Sequence, residues 1–85
     1  MGELSKLQNI GSVVEEQLNA VGITTFDLLK AMGSKQAWLK IQSIDSSACI
    51  HRLLALEGAI RGVKKAQLPE DVKEELRAIY REAKL

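Results

Sequence analysis

The sequence predicts an all-α fold: a compact bundle of five or six helices forming one domain over residues 1–85, with a helix-hairpin-helix-like element at its N-terminal end. Three observations lead there. Apolar residues recur at helical spacing along nearly the whole chain. Aromatic residues make up only 4% of it, and no stretch alternates apolar and polar residues as a half-buried strand would. Glycines and hydroxyl residues stand where helices must stop and restart.

Leu4, Leu7 and Ile10 suggest a short opening helix that closes in a turn around Gln8 to Gly11. Ser12, with Glu15 three residues on, reads as a capping box that starts a second helix. Val14, Leu18 and Val21 form its apolar face, with Val13 beside it, and Gly22 supplies the left-handed residue that ends it. Thr24 and Asp27 form a variant capping box for the next helix, with Ile23 stapled onto Leu28 across the turn. Phe26, Leu29 and Met32 carry that helix inward as far as Gly33. Ser34 caps another, with Ala37, Trp38 and Ile41 facing the core.

The polar run from Ser43 to Ser47 breaks this helix and caps the longest one, expected from Ser47 to Gly62. Cys49, Leu53, Leu56, Ile60 and Val63 share one stripe, with Ile50 and Leu54 on an adjoining one, as suits a helix packed by several neighbours. Ala55, Gly58, Ala59 and Gly62 form a strip of small residues. A mid-helix glycine costs ~1 kcal/mol against alanine, so Gly58 needs a packing reason, and close approach of the last helix is the expected one. That helix starts at Leu68-Pro69-Glu70-Asp71, with proline at its first position and acids in its first turn. Val72, Leu76, Ile79, Tyr80 and Ala83 give its buried face, and Arg81 and Lys84 put positive charge at its end.

Twelve basic and eleven acidic residues leave a formal charge of +1, so any contact with phosphate must be local. One cysteine and one histidine cannot build a disulfide or a familiar transition-metal set, so neither metal nor cofactor is expected. His51 has no triad partner at a useful spacing, and Cys49 reads as a small buried side chain. No phosphate-binding glycine loop, paired catalytic carboxylates or nucleophile elbow occurs, which argues against an enzyme. The longest apolar run, Leu53 to Leu56, is far short of a bilayer span, and no charged-then-apolar leader opens the sequence. The expectation is a cytoplasmic protein without membrane attachment.

The turn Asn9-Ile10-Gly11 resembles a helix-hairpin-helix turn, in which backbone amides and a helix N-terminus face a phosphate. Asn9 stands where glycine is expected and Ser12 where proline is common. Asparagine tolerates positive φ, so the turn survives, although its side chain could block a phosphate and Glu15 and Glu16 would repel one. Lys64 and Lys65, with Arg61 and Arg52 nearby, are the main basic concentration. Its simpler reading is a helix C-terminus balanced by positive charge, with Arg61 paired to Glu57. A faint L-x-x-[IM]-G-S echo links residues 7–12 and 29–34, most simply as two glycine-ended helix joints.

Taken in order, LQNIGSVVEEQLNAVGITTFDLL, MGSKQAW, LLALEGAIRGV and LPEDVKEELRAIY, the chain resembles the C-terminal domain of the TfoX/Sxy family from about Leu4 to Tyr80. Its most specific part is ALEGAIRGV, residues 55–63. The resemblance implies a non-enzymatic bacterial regulator of competence for DNA transformation, akin to helix-hairpin-helix folds. Longer family members carry a preceding α+β domain and act with the cyclic-AMP receptor protein at promoters. The chain is accordingly expected to be a stand-alone relative or an isolated domain.

Two functions stay open. One is DNA backbone contact in transcriptional regulation through Asn9, Gly11, Ser12, Arg61, Lys64 and Lys65, with a transcription-regulator protein as a further partner. The other is a protein–protein adaptor or homodimer without nucleic acid.

Overall fold

A computed structural model describes residues 4–84, whose regular elements are all helical, with no strand among the described residues. A 3-10 turn over Leu4–Lys6 leads into α1 (Ser12–Ala20), α2 (Phe26–Met32), α3 (Ser34–Ile44) and α4 (Ile50–Arg61). A second 3-10 turn, Lys65–Gln67, then connects to α5 (Glu70–Lys84). The all-helical expectation holds. The N-terminal arm, however, is a single 3-10 turn among the described residues, shorter than the first helix of a helix-hairpin-helix unit.

Helix α4 is the hub, packing against α2, α3, α5 and the second 3-10 turn. Leu53 and Leu56 on its inner stripe are fully buried together with Leu18, Ile23, Leu29, Trp38 and Ile41. Trp38 anchors this core, and its ring lies 5.6 Å from that of Tyr80, tilted by 54°. Tilted aromatic pairs of this kind hold their elements in register, here α3 against α5.

The predicted helix boundaries shift where polar side chains find distant partners. Ser12 makes no cap; Gly11 is the N-cap of α1 and contributes no side-chain bond. Glu15 is only 5% exposed and accepts instead from the Ser5 amide at 3.0 Å, so the proposed Ser12–Glu15 box does not form. At α2 the cap is Thr25 rather than Thr24, its Oγ1 accepting from the Leu28 amide at 3.2 Å. Leu28 is 46% exposed while Ile23 is buried, which rules out the staple between them. At α3, Gly33 is the N-cap, with φ +87°, and the Ser34 hydroxyl donates to Glu57 Oε1 at 2.6 Å.

Helix α4 starts at Ile50, not Ser47, because Asp45 takes the Ser47 amide at 3.0 Å and holds the intervening residues in a turn. At 12 residues it is shorter than the 15-residue α5. Cys49 is its half-buried N-cap. Gly62, at φ +76°, ends it in a Schellman closure, with the Val63 amide on Gly58 O at 2.9 Å and the Gly62 amide on Ala59 O at 3.3 Å. Pro69 stands just before α5 rather than inside it, and its carbonyl accepts from Lys73 N at 3.0 Å. The Lys84 side chain, expected to balance the end of α5, lies outside the described residues.

Candidate nucleic-acid interface

The turn between the first 3-10 turn and α1 is set by Asn9, which adopts φ +68°, the left-handed region that asparagine enters more readily than most residues. The backbone therefore makes the glycine-like bend without glycine. Gly11 has ordinary extended geometry at φ −97°, so the bend belongs to position 9. The L-x-x-[IM]-G-S echo accordingly has a limited meaning. Gly11 and Gly33 are both N-caps without a side-chain bond, but the left-handed residue is Asn9 in one turn and Gly33 in the other.

Gly11 and Ser12 are exposed, and the first-turn amides of α1 receive no side-chain cap. An uncapped helix N-terminus presents N–H groups and a positive dipole end to solvent. Of the two acids counted against phosphate, Glu15 is turned toward the Ser5 amide, and Glu16 remains exposed.

Lys64 and Lys65 come to this turn from far along the chain. The Lys65 amide donates to Asn9 Oδ1 at 3.2 Å, and Asn9 Nδ2 donates to Val63 O at 3.0 Å and Ala55 O at 3.3 Å. The Lys64 amide donates to Gln67 Oε1 at 3.2 Å, while the Gln67 amide returns to Lys64 O at 2.9 Å. The backbone bearing both lysines is thus pinned, and both side chains are exposed with no ion pair among the described residues.

Gly58 makes this arrangement possible, and the reason expected for it is overturned. A Cβ there would lie 2.5 Å from Asn9 Nδ2, 2.7 Å from Val63 O and 3.3 Å from Lys65 N. The close approach is therefore by Asn9 and the chain leaving α4, not by α5. The mid-helix glycine signalled that something came close, but nothing in the sequence identified Asn9, Val63 and Lys65 as what meets it.

The other basic residues are committed elsewhere. Arg61 pairs through Nε with Glu57 one turn earlier. Burial raises the Glu57 pKa, but the Ser34 hydroxyl and Arg61 outweigh it and hold the carboxyl below its ordinary value. Arg61 and Glu57 line an open groove of about 280 Å³ between α3, α4 and α5, floored by Val72, Leu76 and Ile79. Arg52 joins Asp45 at 3.1 Å and Gln17 at 2.9 Å, tying α4 to α1 and to the end of α3. The structure ties the backbone of Val63 and Lys65 to Asn9, two residues before Gly11, and places Arg61 beside the groove.

His51 is exposed. Among the described residues, no three or more His, Cys, Asp or Glu side chains stand together as a metal site, and no helix is long and apolar enough to cross a membrane.

Residues 1–80 match the family model described as the TfoX C-terminal domain. Protein Sxy of Escherichia coli strain K12 is 36% identical over 73 residues, an overlap covering 86% of this chain and 35% of that protein. The chain thus spans about a third of the length of that relative. Two crystal structures of uncharacterised proteins from Listeria monocytogenes, a triclinic and a tetragonal form, superpose with TM-scores of 0.94 and 0.93 at 44% identity. Each covers 95% of this chain, and they are themselves covered over 92% and 99% of their lengths.

Proposed function

The chain belongs to the TfoX C-terminal domain family, and from that membership we propose a non-enzymatic cytoplasmic regulatory domain that contacts the DNA backbone. The process in which it acts is competence for DNA transformation, the role that the family resemblance implies. The observation that supports the DNA reading is the bond from the Lys65 amide to Asn9 Oδ1 at 3.2 Å, which ties the backbone of a segment whose two lysines have no ion pair among the described residues to the turn that leads into the uncapped α1. Amides and lysines of this kind hold phosphate oxygens and read no base, so the contact positions the domain without specifying sequence. Sequence choice then falls to a partner, for which a transcription-regulator protein is the fitting class.

Titration with duplex DNA across a range of salt tests this reading. Removing both lysines (Lys64→Ala with Lys65→Ala) lowers the salt slope by about 1.8, at about 0.9 per phosphate contact. Absence of binding at low salt, or an unchanged slope in that variant, removes the reading.

A second reading, protein–protein docking or homodimerisation without nucleic acid, is favoured by the open groove with its aliphatic floor of Val72, Leu76 and Ile79. Sedimentation of the protein, alone and with Ile79→Lys, tests its homodimer form: a mass that is monomeric in both counts against self-association.

A further inference from the structure

Asn9 stands where the hairpin pattern has glycine, and both N–H donors of its side chain are engaged. A carboxamide has two N–H donors and one acceptor oxygen. Both donors are directed at carbonyls, Ala55 O at 3.3 Å and Val63 O at 3.0 Å, and the oxygen accepts the Lys65 amide at 3.2 Å. No donor remains for a phosphate.

We infer that Asn9 is a positioning residue and not a phosphate ligand. Its carboxamide clasps the turn at residues 9–12 to the segment Val63–Lys65, making the α1 amides and the two lysines one anion-binding edge. This inference rests on the DNA-backbone reading above.

Three features of the clasp support it. The left-handed backbone at Asn9, φ +68°, is the conformation from which the side chain reaches α4. Gly58 leaves the berth that the carboxamide fills, since a Cβ would come within 2.5 Å of Nδ2. The clasped carbonyls and amide flank the Schellman closure of α4, so the clasp fixes the chain where it turns toward Lys64. Without it, the lysine-bearing segment keeps the Gln67 bond within itself but loses its tie to the turn. The objection that a side chain at position 9 blocks a phosphate also lapses, because that side chain is directed at α4.

The test is duplex DNA titration across salt with the wild type, Asn9→Gly, Gly58→Ala and the double variant. All are measured at a temperature where circular dichroism reports each as folded. Glycine accepts the left-handed backbone of position 9, so Asn9→Gly keeps the bend and removes only the clasp. It is expected to weaken DNA binding about tenfold and to lower the salt slope by about one to two, because the lysines no longer share a phosphate run with the turn. Gly58→Ala is expected to do the same by expelling the carboxamide with Asn9 still present. The double variant loses less than the product of the single losses, since both remove one interaction.

A purely structural role would lower the melting temperature and leave the salt slope of the folded variants unchanged. A wild type that shows no salt-dependent binding overturns the DNA reading and this inference together. A wild type that binds, with Asn9→Gly matching it in affinity and slope, overturns the positioning role alone.

Discussion

Gly58→Ala is the substitution for which local and tertiary physics disagree in sign. In an isolated helix it stabilises by about 0.8–1 kcal/mol, through reduced backbone entropy in the unfolded chain. In this protein the new methyl meets Asn9 Nδ2 at 2.5 Å and the Val63 carbonyl oxygen at 2.7 Å, and real Cβ atoms essentially never approach so closely. The carboxamide can retreat, but it then gives up bonds to Ala55 O, Val63 O and the Lys65 amide. At about 0.5–1.5 kcal/mol each, three such bonds are worth roughly 1.5–4.5 kcal/mol. The Val63 carbonyl belongs to the backbone and moves only by loosening the closure of α4, a further cost of the overpacking kind. Subtracting the helical gain leaves a net loss centred near ~2 kcal/mol, with overpacking able to add about 1 or more. For a domain of this size, ~2 kcal/mol lowers Tm by about 8–16 °C. Thermal unfolding followed by far-ultraviolet circular dichroism measures it, with urea unfolding as the check on free energy. An equal or higher Tm would refute the reasoning, because it would mean that helix propensity outweighs the clasp.

Three further outcomes are expected. Thr25→Ala removes the cap on the Leu28 amide and costs about 0.5–2 kcal/mol in urea unfolding, whereas Ser12→Ala, which removes no cap, stays within about 0.5 kcal/mol. Asp45 accepts from the Ser47 hydroxyl, Gln17, the Ser47 amide and Arg52, which together hold its pKa far below the ordinary value. A depressed carboxyl stabilises the fold above its unfolded pKa, near ~3.9, and loses that contribution as pH falls toward the folded value. Asp45→Asn should therefore melt below the wild type at pH 7, with the gap closing below about pH 4; a gap that is constant or widens with acid contradicts this. Trp38→Ala empties the centre of the core and is expected to cost about 3–5 kcal/mol by urea unfolding. In the wild type, Trp38 is the lone tryptophan, so its fluorescence shifts to the red in step with the loss of helix.

The helices were legible in the sequence because burial imposes a period that every turn of helix repeats. Ala37, Trp38 and Ile41, or Leu53 and Leu56, announce a buried face without reference to anything else in the chain. The caps were less legible because a serine or glutamate has several possible partners, and the tertiary fold selects among them. Glu15 went to the Ser5 amide and Ser34 to Glu57, leaving Gly11 and Gly33 as bare caps. The edge formed by Asn9 and Lys65 was beyond sequence reasoning for a stronger form of the same reason. The two residues are 56 positions apart, and a single hydrogen bond at that range leaves no periodic trace. Two local signs did mark the place: a glycine missing from a turn and a glycine surplus in a helix. Neither has an explanation within its own segment. Joined, each accounts for the other, since the carboxamide that replaces hydrogen at position 9 occupies the space that hydrogen leaves at position 58. A turn residue without glycine and a helix residue without a side chain are thus two halves of one contact, which is why the double variant of Asn9 and Gly58 reads the positioning role that neither single variant isolates.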